Sequence, residues 1–218
     1  MNTTASITAR RPLNWPLAVV LAVAALGIVW FLGKKIHYYV DFSADSYTEY
    51  FWPRRVGLIP HIFGGLLAIS AGLVQIWLGL TNRTGKLHHA LGKVYGAGVV
   101  VGSLGGYYIA LTIPAGYMVY QVGLFMLCTA WVLTTSMALW SIRQRRINQH
   151  RDWMLRSYIV TFAFVIYRIG AQWLHTWLNM PSAEVADEID NLMAWACWAV
   201  PLLIAEPLIQ LRAVRRMA

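Results

Sequence analysis

The chain has 218 residues, 58% of them hydrophobic and 12% charged, with a mean hydropathy of +0.52. Soluble domains average about 45–50% apolar and about 25% charged residues, so a soluble globular domain does not fit. The net charge of +9 does not call for nucleic acid either, because the positive residues cluster beside apolar segments, as basic loops of membrane proteins do.

Six segments are long enough to span a bilayer. The first, residues 15–33, carries no charge and follows Arg10 and Arg11. Its apolar run exceeds the h-region of a signal peptide, and no clean small-residue cleavage site follows, so it reads as an uncleaved helix. The others run about Leu58–Leu80, Val94–Ile113, Tyr117–Ile142, Trp153–Leu178 and Ile189–Leu211. The domain map is a cytoplasmic tail (1–14), a first helix (15–33), an outer loop (34–57), a five-helix membrane core (58–211) and a basic tail (212–218). The outer loop is aromatic (Tyr38, Tyr39, Phe42, Tyr47, Tyr50, Phe51, Trp52), which suits a membrane interface. Cys128 and Cys197 fall inside apolar runs and read as buried thiols, not a disulfide.

Loop charges set an expected orientation. Arg83, Lys86 and Lys93, then Arg143, Arg145, Arg146 and Arg151, then Arg212, Arg215 and Arg216 fall on one side of a six-span chain, together with Arg10 and Arg11. By the positive-inside rule that side is cytoplasmic, and both termini lie there. Lys34, Lys35, Arg54 and Arg55 dissent from the other side. The loop after the fifth span is acidic, with Glu184, Asp187, Glu188 and Asp190. The expected fold is an all-α bundle of six transmembrane helices in a bacterial inner membrane. Its basic loops would meet anionic lipid headgroups.

Helical periodicity predicts faces inside the bundle. On the second span His61, Gly65, Ala68, Gly72, Gln75 and Gly79 share a stripe. On the third, Tyr95, Gly98, Gly102 and Gly106 do, and small residues at this spacing let membrane helices approach closely. The fifth aligns Ser157, Thr161, Phe164, Arg168, Ala171 and His175; the sixth aligns Trp195, Ala199, Leu202, Glu206 and Gln210. Pro201 and Pro207 should interrupt the sixth helix's ladder.

Depth sorts the polar residues into two layers. Gln75, His88, Tyr95, His150, Arg156 and Glu206 lie near the cytoplasm, where Arg156 and Glu206 are expected to pair. His61, Arg168 and His175 lie towards the outside, in a layer expected to hold no acid for Arg168. Arg168 is roughly 22 Å along the helix from Trp153, within a hydrocarbon core of about 30 Å. An arginine there costs at least about 2.5 kcal/mol, so an anion or strong acceptor should face it.

Neutral imidazoles across a bundle are haem ligands in other proteins, which makes His61 with His175, and His88 or His89 with His150, candidate pairs for b-type haem. Arg168 would then meet a propionate or other anion. The alternatives are a carrier or binding protein for a small anionic or lipid-like ligand at Arg168, Gln75, Tyr95, Arg156 or Glu206, and a structural accessory protein. No H-E-x-x-H, C-x-x-C, G-x-S-x-G or phosphate-cradling loop is present.

Three stretches carry a family resemblance: L-H-H-A-L-G-K-V-Y (Leu87 to Tyr95), H-R-D-W-M-L-R-S-Y (His150 to Tyr158) and A-W-A-C-W-A-V-P-L-L-I-A-E (Ala194 to Glu206). With G-L-V-Q-I (Gly72 to Ile76) and Thr161 to Arg168, they resemble a bacterial family of predicted multi-pass membrane proteins of unknown function. The resemblance spans roughly His61 to Glu206 and implies roles for His61, His88, His150, Arg156, Arg168 and Glu206. The chain departs from the pattern at His89, where arginine is usual, and at Ile76, where phenylalanine is usual. The resemblance therefore favours His88 over His89, gives His175 no matching role, and implies no activity. The leading expectation is a haem- or quinone-linked redox protein.

Overall fold

The computed structural model describes residues 51–178 and 183–216 continuously, together with 15, 18–19, 22–23, 25–30, 33, 41, 43 and 45. The five-helix core lies within these residues. Most of the expected first span and of the aromatic outer loop lies outside them, although the described residues of 15–33 are helical.

A 3-10 turn, Trp52–Arg54, leads into α1 (Arg55–Leu80). There follow α2 (Lys86–Leu111), α3 (Met118–Arg143), α4 (Ile147–Trp177) and α5 (Ala183–Arg215). All five spans are long and apolar enough to cross a membrane. The helices outrun the hydropathy-based segments: α2 starts at Lys86 instead of Val94, α4 at Ile147 instead of Trp153, and α5 at Ala183 instead of Ile189. Hydropathy marks the hydrocarbon, whereas backbone hydrogen bonding carries a helix onward into the polar zone. His88, His89 and His150 therefore sit in first turns of helices, not at loop edges, and Asp187, Glu188 and Asp190 belong to a helix, not a loop. Helix α5 also runs through Pro201 and Pro207 without a break in its assignment.

Helices α1 and α2 make the closest contact, along a glycine seam. A Cβ on Gly98 would lie 2.8 Å from the Gly64 carbonyl oxygen and 2.9 Å from the Ala68 nitrogen. One on Gly57 would lie 2.9 Å from the Gly105 oxygen, and one on Gly64 would strike the Gly102 backbone. The predicted stripe holds at Ala68, Gly72 and Gln75, which are buried, but Gly64 and not Gly65 takes the tight contact. Between lipid-solvated helices there is little hydrophobic drive, so such packing and interhelical hydrogen bonds hold the bundle. Phe63, Val100, Leu104, Leu133, Leu203 and Ile204 face outward.

A buried polar knot ties α2, α3 and α4. Tyr95 Oη lies 2.6 Å from Ser157 Oγ and 2.8 Å from Thr161 Oγ1, Trp131 Nε1 donates to Thr161 Oγ1 at 2.8 Å, and Thr135 Oγ1 lies 2.6 Å from Ser157 Oγ. Each hydroxyl proton has an acceptor here. Thr161 donates to the Ser157 carbonyl, Tyr95 to Thr161, Ser157 to Tyr95, and Thr135 to Ser157 or the Trp131 carbonyl. The circuit ends on backbone oxygen and fastens the three helices. Tyr158 adds a bond to the Ile69 carbonyl of α1 at 3.1 Å.

The bundle has one basic end. There α1 and α3 each close in a left-handed residue, Asn82 (φ 56°) and Arg145 (φ 58°), with paired turn hydrogen bonds from Asn82 and Arg83, and from Arg145 and Arg146. Arg151 donates to Asn82 Oδ1 at 2.8 Å, and Arg216 pairs with Asp152 at 3.0 Å.

Three substitutions test this packing. Gly64→Ala should cost about 1–3 kcal/mol by overpacking backbone against backbone, whereas Gly65→Ala, with nothing within 4 Å of its added carbon, should be neutral or slightly stabilising. Tyr95→Phe should cost about 1–3 kcal/mol by orphaning buried hydroxyls. Unfolding in a mild detergent reads all three.

Candidate functional site

At the basic end the expected pairing forms. Arg156 donates from Nε to Glu206 Oε2 at 2.9 Å and from Nη2 to Oε1 at 2.7 Å. Gln210 adds a bond to Oε1 at 2.7 Å, and the Trp153 ring lies 4.7 Å under the guanidinium. This bidentate fork neutralises both charges. With the Arg156 side chain 12% exposed and Glu206 42%, the pair is fully engaged and half-open to its surroundings.

Gln75, buried, donates its amide to the His88 carbonyl. His150 Nδ1 donates to the Ala138 carbonyl at 2.9 Å, which leaves Nε2 as the acceptor of the neutral ring. His88 is within electrostatic range of His150, and its Nδ1 is buried without a hydrogen-bond partner. His89 bonds back to the Gly85 carbonyl of its own turn. Tyr95 is occupied by the knot described above.

The other end is built differently. His61 Nδ1 donates across the glycine seam to the Gly102 carbonyl at 2.8 Å. Its ring meets Phe164 edge-on, centroids 6.0 Å apart. Both line a small cavity of about 70 Å³ with Ile28, Ile62, Leu66, Ile69, Leu127, Cys128, Trp131, Val160 and Thr161. One turn on from Phe164 in α4 stands Arg168, its guanidinium 5.6 Å over that ring and 6.0 Å over Tyr167. Two cation–π contacts of about 0.5–1 kcal/mol each do not offset the cost of an intramembrane arginine.

Arg168 opens into a cleft of about 680 Å³, within the range of small-molecule sites. Tyr117 and Tyr120 of the α2–α3 turn and α3, Gln172 and His175 of α4, and Asp187, Asp190 and Asn191 of α5 share the lining. An acid therefore does stand in this layer, contrary to the sequence reading: Asp190, in the first turn of the expected sixth span, shares the cleft wall with Arg168. It is engaged elsewhere. Tyr167 donates to Asp190 Oδ1 at 3.0 Å, and His175 Nε2 lies 3.7 Å from the same oxygen. Among the described residues Arg168 has no ion pair.

His61 and His175 thus line separate cavities and are not brought together, whereas His88 and His150 lie within electrostatic range of each other. Sequence reasoning missed Asp190, Asn191 and Tyr167. A signal existed for the first: Asp190 extends by one turn the buried stripe of Met193, Ala194 and Cys197, at helical spacing. Among the described residues no group of three or more histidine, cysteine or acidic side chains is placed to hold a metal ion.

No curated protein and no solved structure matches the chain. Residues 58–209, from the first turn of α1 to the penultimate turn of α5, match the family described as Predicted membrane protein (DUF2306). That stretch contains the glycine seam, the knot, the Arg156–Glu206 fork and the Arg168 cleft. The chain is a multi-pass membrane protein and belongs to this family of predicted membrane proteins of unknown function.

Proposed function

We propose that this protein binds a small organic anion in the cleft at Arg168, as a carrier or receptor whose site opens away from the basic loops. The observation that supports it is an intramembrane arginine with no ion pair among the described residues, lining a ligand-sized cleft. The contrast with Arg156 is the argument: the same side chain, in the same helix, is neutralised at one end and left available at the other. With the basic loops in the cytoplasm of a bacterial inner membrane, the cleft faces outward and the Arg156–Glu206 fork holds the inner end shut. His61 contributes by bracing Phe164, not by touching the anion.

The redox reading keeps a narrower basis. His61 and His150 each donate Nδ1 to a backbone carbonyl, and this arrangement presents Nε2 as histidine ligands of metals do. Against a haem at His61 stands the cavity: about 70 Å³ is half the ~150 Å³ that accepts a benzene. For a haem or quinone the His88–His150 pair at the basic end is the better place.

In nanodiscs, labelled 4-methylpentanoate should bind the wild type and lose affinity by about tenfold or more in Arg168→Gln, with both proteins monodisperse. Equal binding by the two would refute the anion site. An absorption spectrum of protein expressed with ample haem should show no Soret band. A band that shifts on dithionite reduction and disappears in His150→Ala would restore the redox reading.

A further inference from the structure

We infer that the ligand is a zwitterion with a short aliphatic tail, an aliphatic α-amino acid or a close analogue. This rests on the anion-binding reading above and adds the other two recognition elements.

The first is a site for a positive charge opposite Arg168. Both contacts of Asp190 fall on Oδ1, from Tyr167 and His175; Oδ2 has no partner among the described residues. Next to it on α5, Asn191 lines the same cleft. A carboxylate oxygen left free in a cleft that also holds Arg168 asks for a donor with positive charge. A carboxylate ligand alone would answer Arg168 and leave Oδ2 unanswered. An ammonium group on the same small molecule answers it. Tyr167 holds the two walls in register, since it adjoins Arg168 in α4 and bonds to Asp190 in α5.

The second element is a place for an apolar tail. The cleft and the His61 cavity are stacked along the bundle. On α4, Phe164 lines the cavity and Arg168, one turn later, lines the cleft, about 5.4 Å along the axis. The first helix repeats the order, with Ile28 at the cavity and Trp30 at the cleft. Phe164 carries both contacts, the His61 ring with centroids 6.0 Å apart and the Arg168 guanidinium 5.6 Å over it. A ligand with its carboxylate on Arg168 directs a side chain at Phe164 and the aliphatic walls beyond: Ile62, Leu66, Ile69, Leu127 and Val160. On the scale where ~150 Å³ accepts a benzene, about 70 Å³ takes the isopropyl end of a branched aliphatic chain and rejects an indole.

The test is equilibrium binding of labelled leucine to the full chain in nanodiscs, with unlabelled competitors of matched shape. Leucine should compete about tenfold better than 4-methylpentanoate, which lacks the ammonium. Either should exceed 3-methylbutylamine, which lacks the carboxylate. Glycine and tryptophan should compete less well than leucine. In Asp190→Asn the leucine-to-4-methylpentanoate ratio should fall towards one. The wild-type panel decides the matter by itself if that variant fails to fold. Equal competition by leucine and 4-methylpentanoate would overturn the zwitterion while leaving the anion site intact. Equal competition by glycine and leucine would overturn the tail. No binding of leucine or 4-methylpentanoate, or binding led by the amine, would overturn this inference and the anion reading together.

Discussion

The backbone contact between α1 and α2 is the constraint on which the rest depends. Where Gly57 and Gly64 meet Gly98, Gly102 and Gly105, no side chain separates the helices. Only at that distance does the His61 imidazole reach the Gly102 carbonyl. The bound ring then fixes Phe164, and Phe164 backs the Arg168 guanidinium. A chain of contacts thus runs from a seam without side chains to an intramembrane arginine, Arg168, that has no ion pair among the described residues. In a bilayer, where burial of apolar surface gains little on helix association, shape and polar contacts have to do this work.

The two arginines of α4 show how one helix serves two purposes. Arg156 is held by a bidentate carboxylate, a glutamine behind it and a tryptophan face. Arg168 has two aromatic faces and an open cleft. Between them the Tyr95–Ser157–Thr161 knot ends on backbone oxygen, so polar character at mid-depth serves packing. The molecule is thus asymmetric along its axis, with a neutralised arginine at the basic end and, at the other, an arginine without an ion pair among the described residues lining a cleft.

Much of this was legible from residue spacing. Glycines at four-residue intervals on α2 marked the seam, and the depths of Arg156 and Glu206 matched them to each other. Hydropathy could not see the helix ends, because it measures the preference for hydrocarbon and not for backbone hydrogen bonds. Asp190, at the very start of the expected sixth span, read with the acidic loop before it and so was not matched to Arg168. His88 and His150 fell outside the expected spans that begin at Val94 and Trp153. Periodicity alone could not choose between Gly64 and Gly65, which differ by one step around the helix; the crossing of α2 decides. The knot was readable only as separate aligned residues on three helices, since its meaning lies in which hydroxyl reaches which.

The account stands or falls on what occupies the cleft beside Arg168. The most direct measurement is a structure of the full chain in nanodiscs, determined with saturating leucine. The account predicts density in the cleft with the carboxylate on the Arg168 guanidinium and the aliphatic end against Phe164. An empty cleft, or leucine bound only at the basic end, would contradict it.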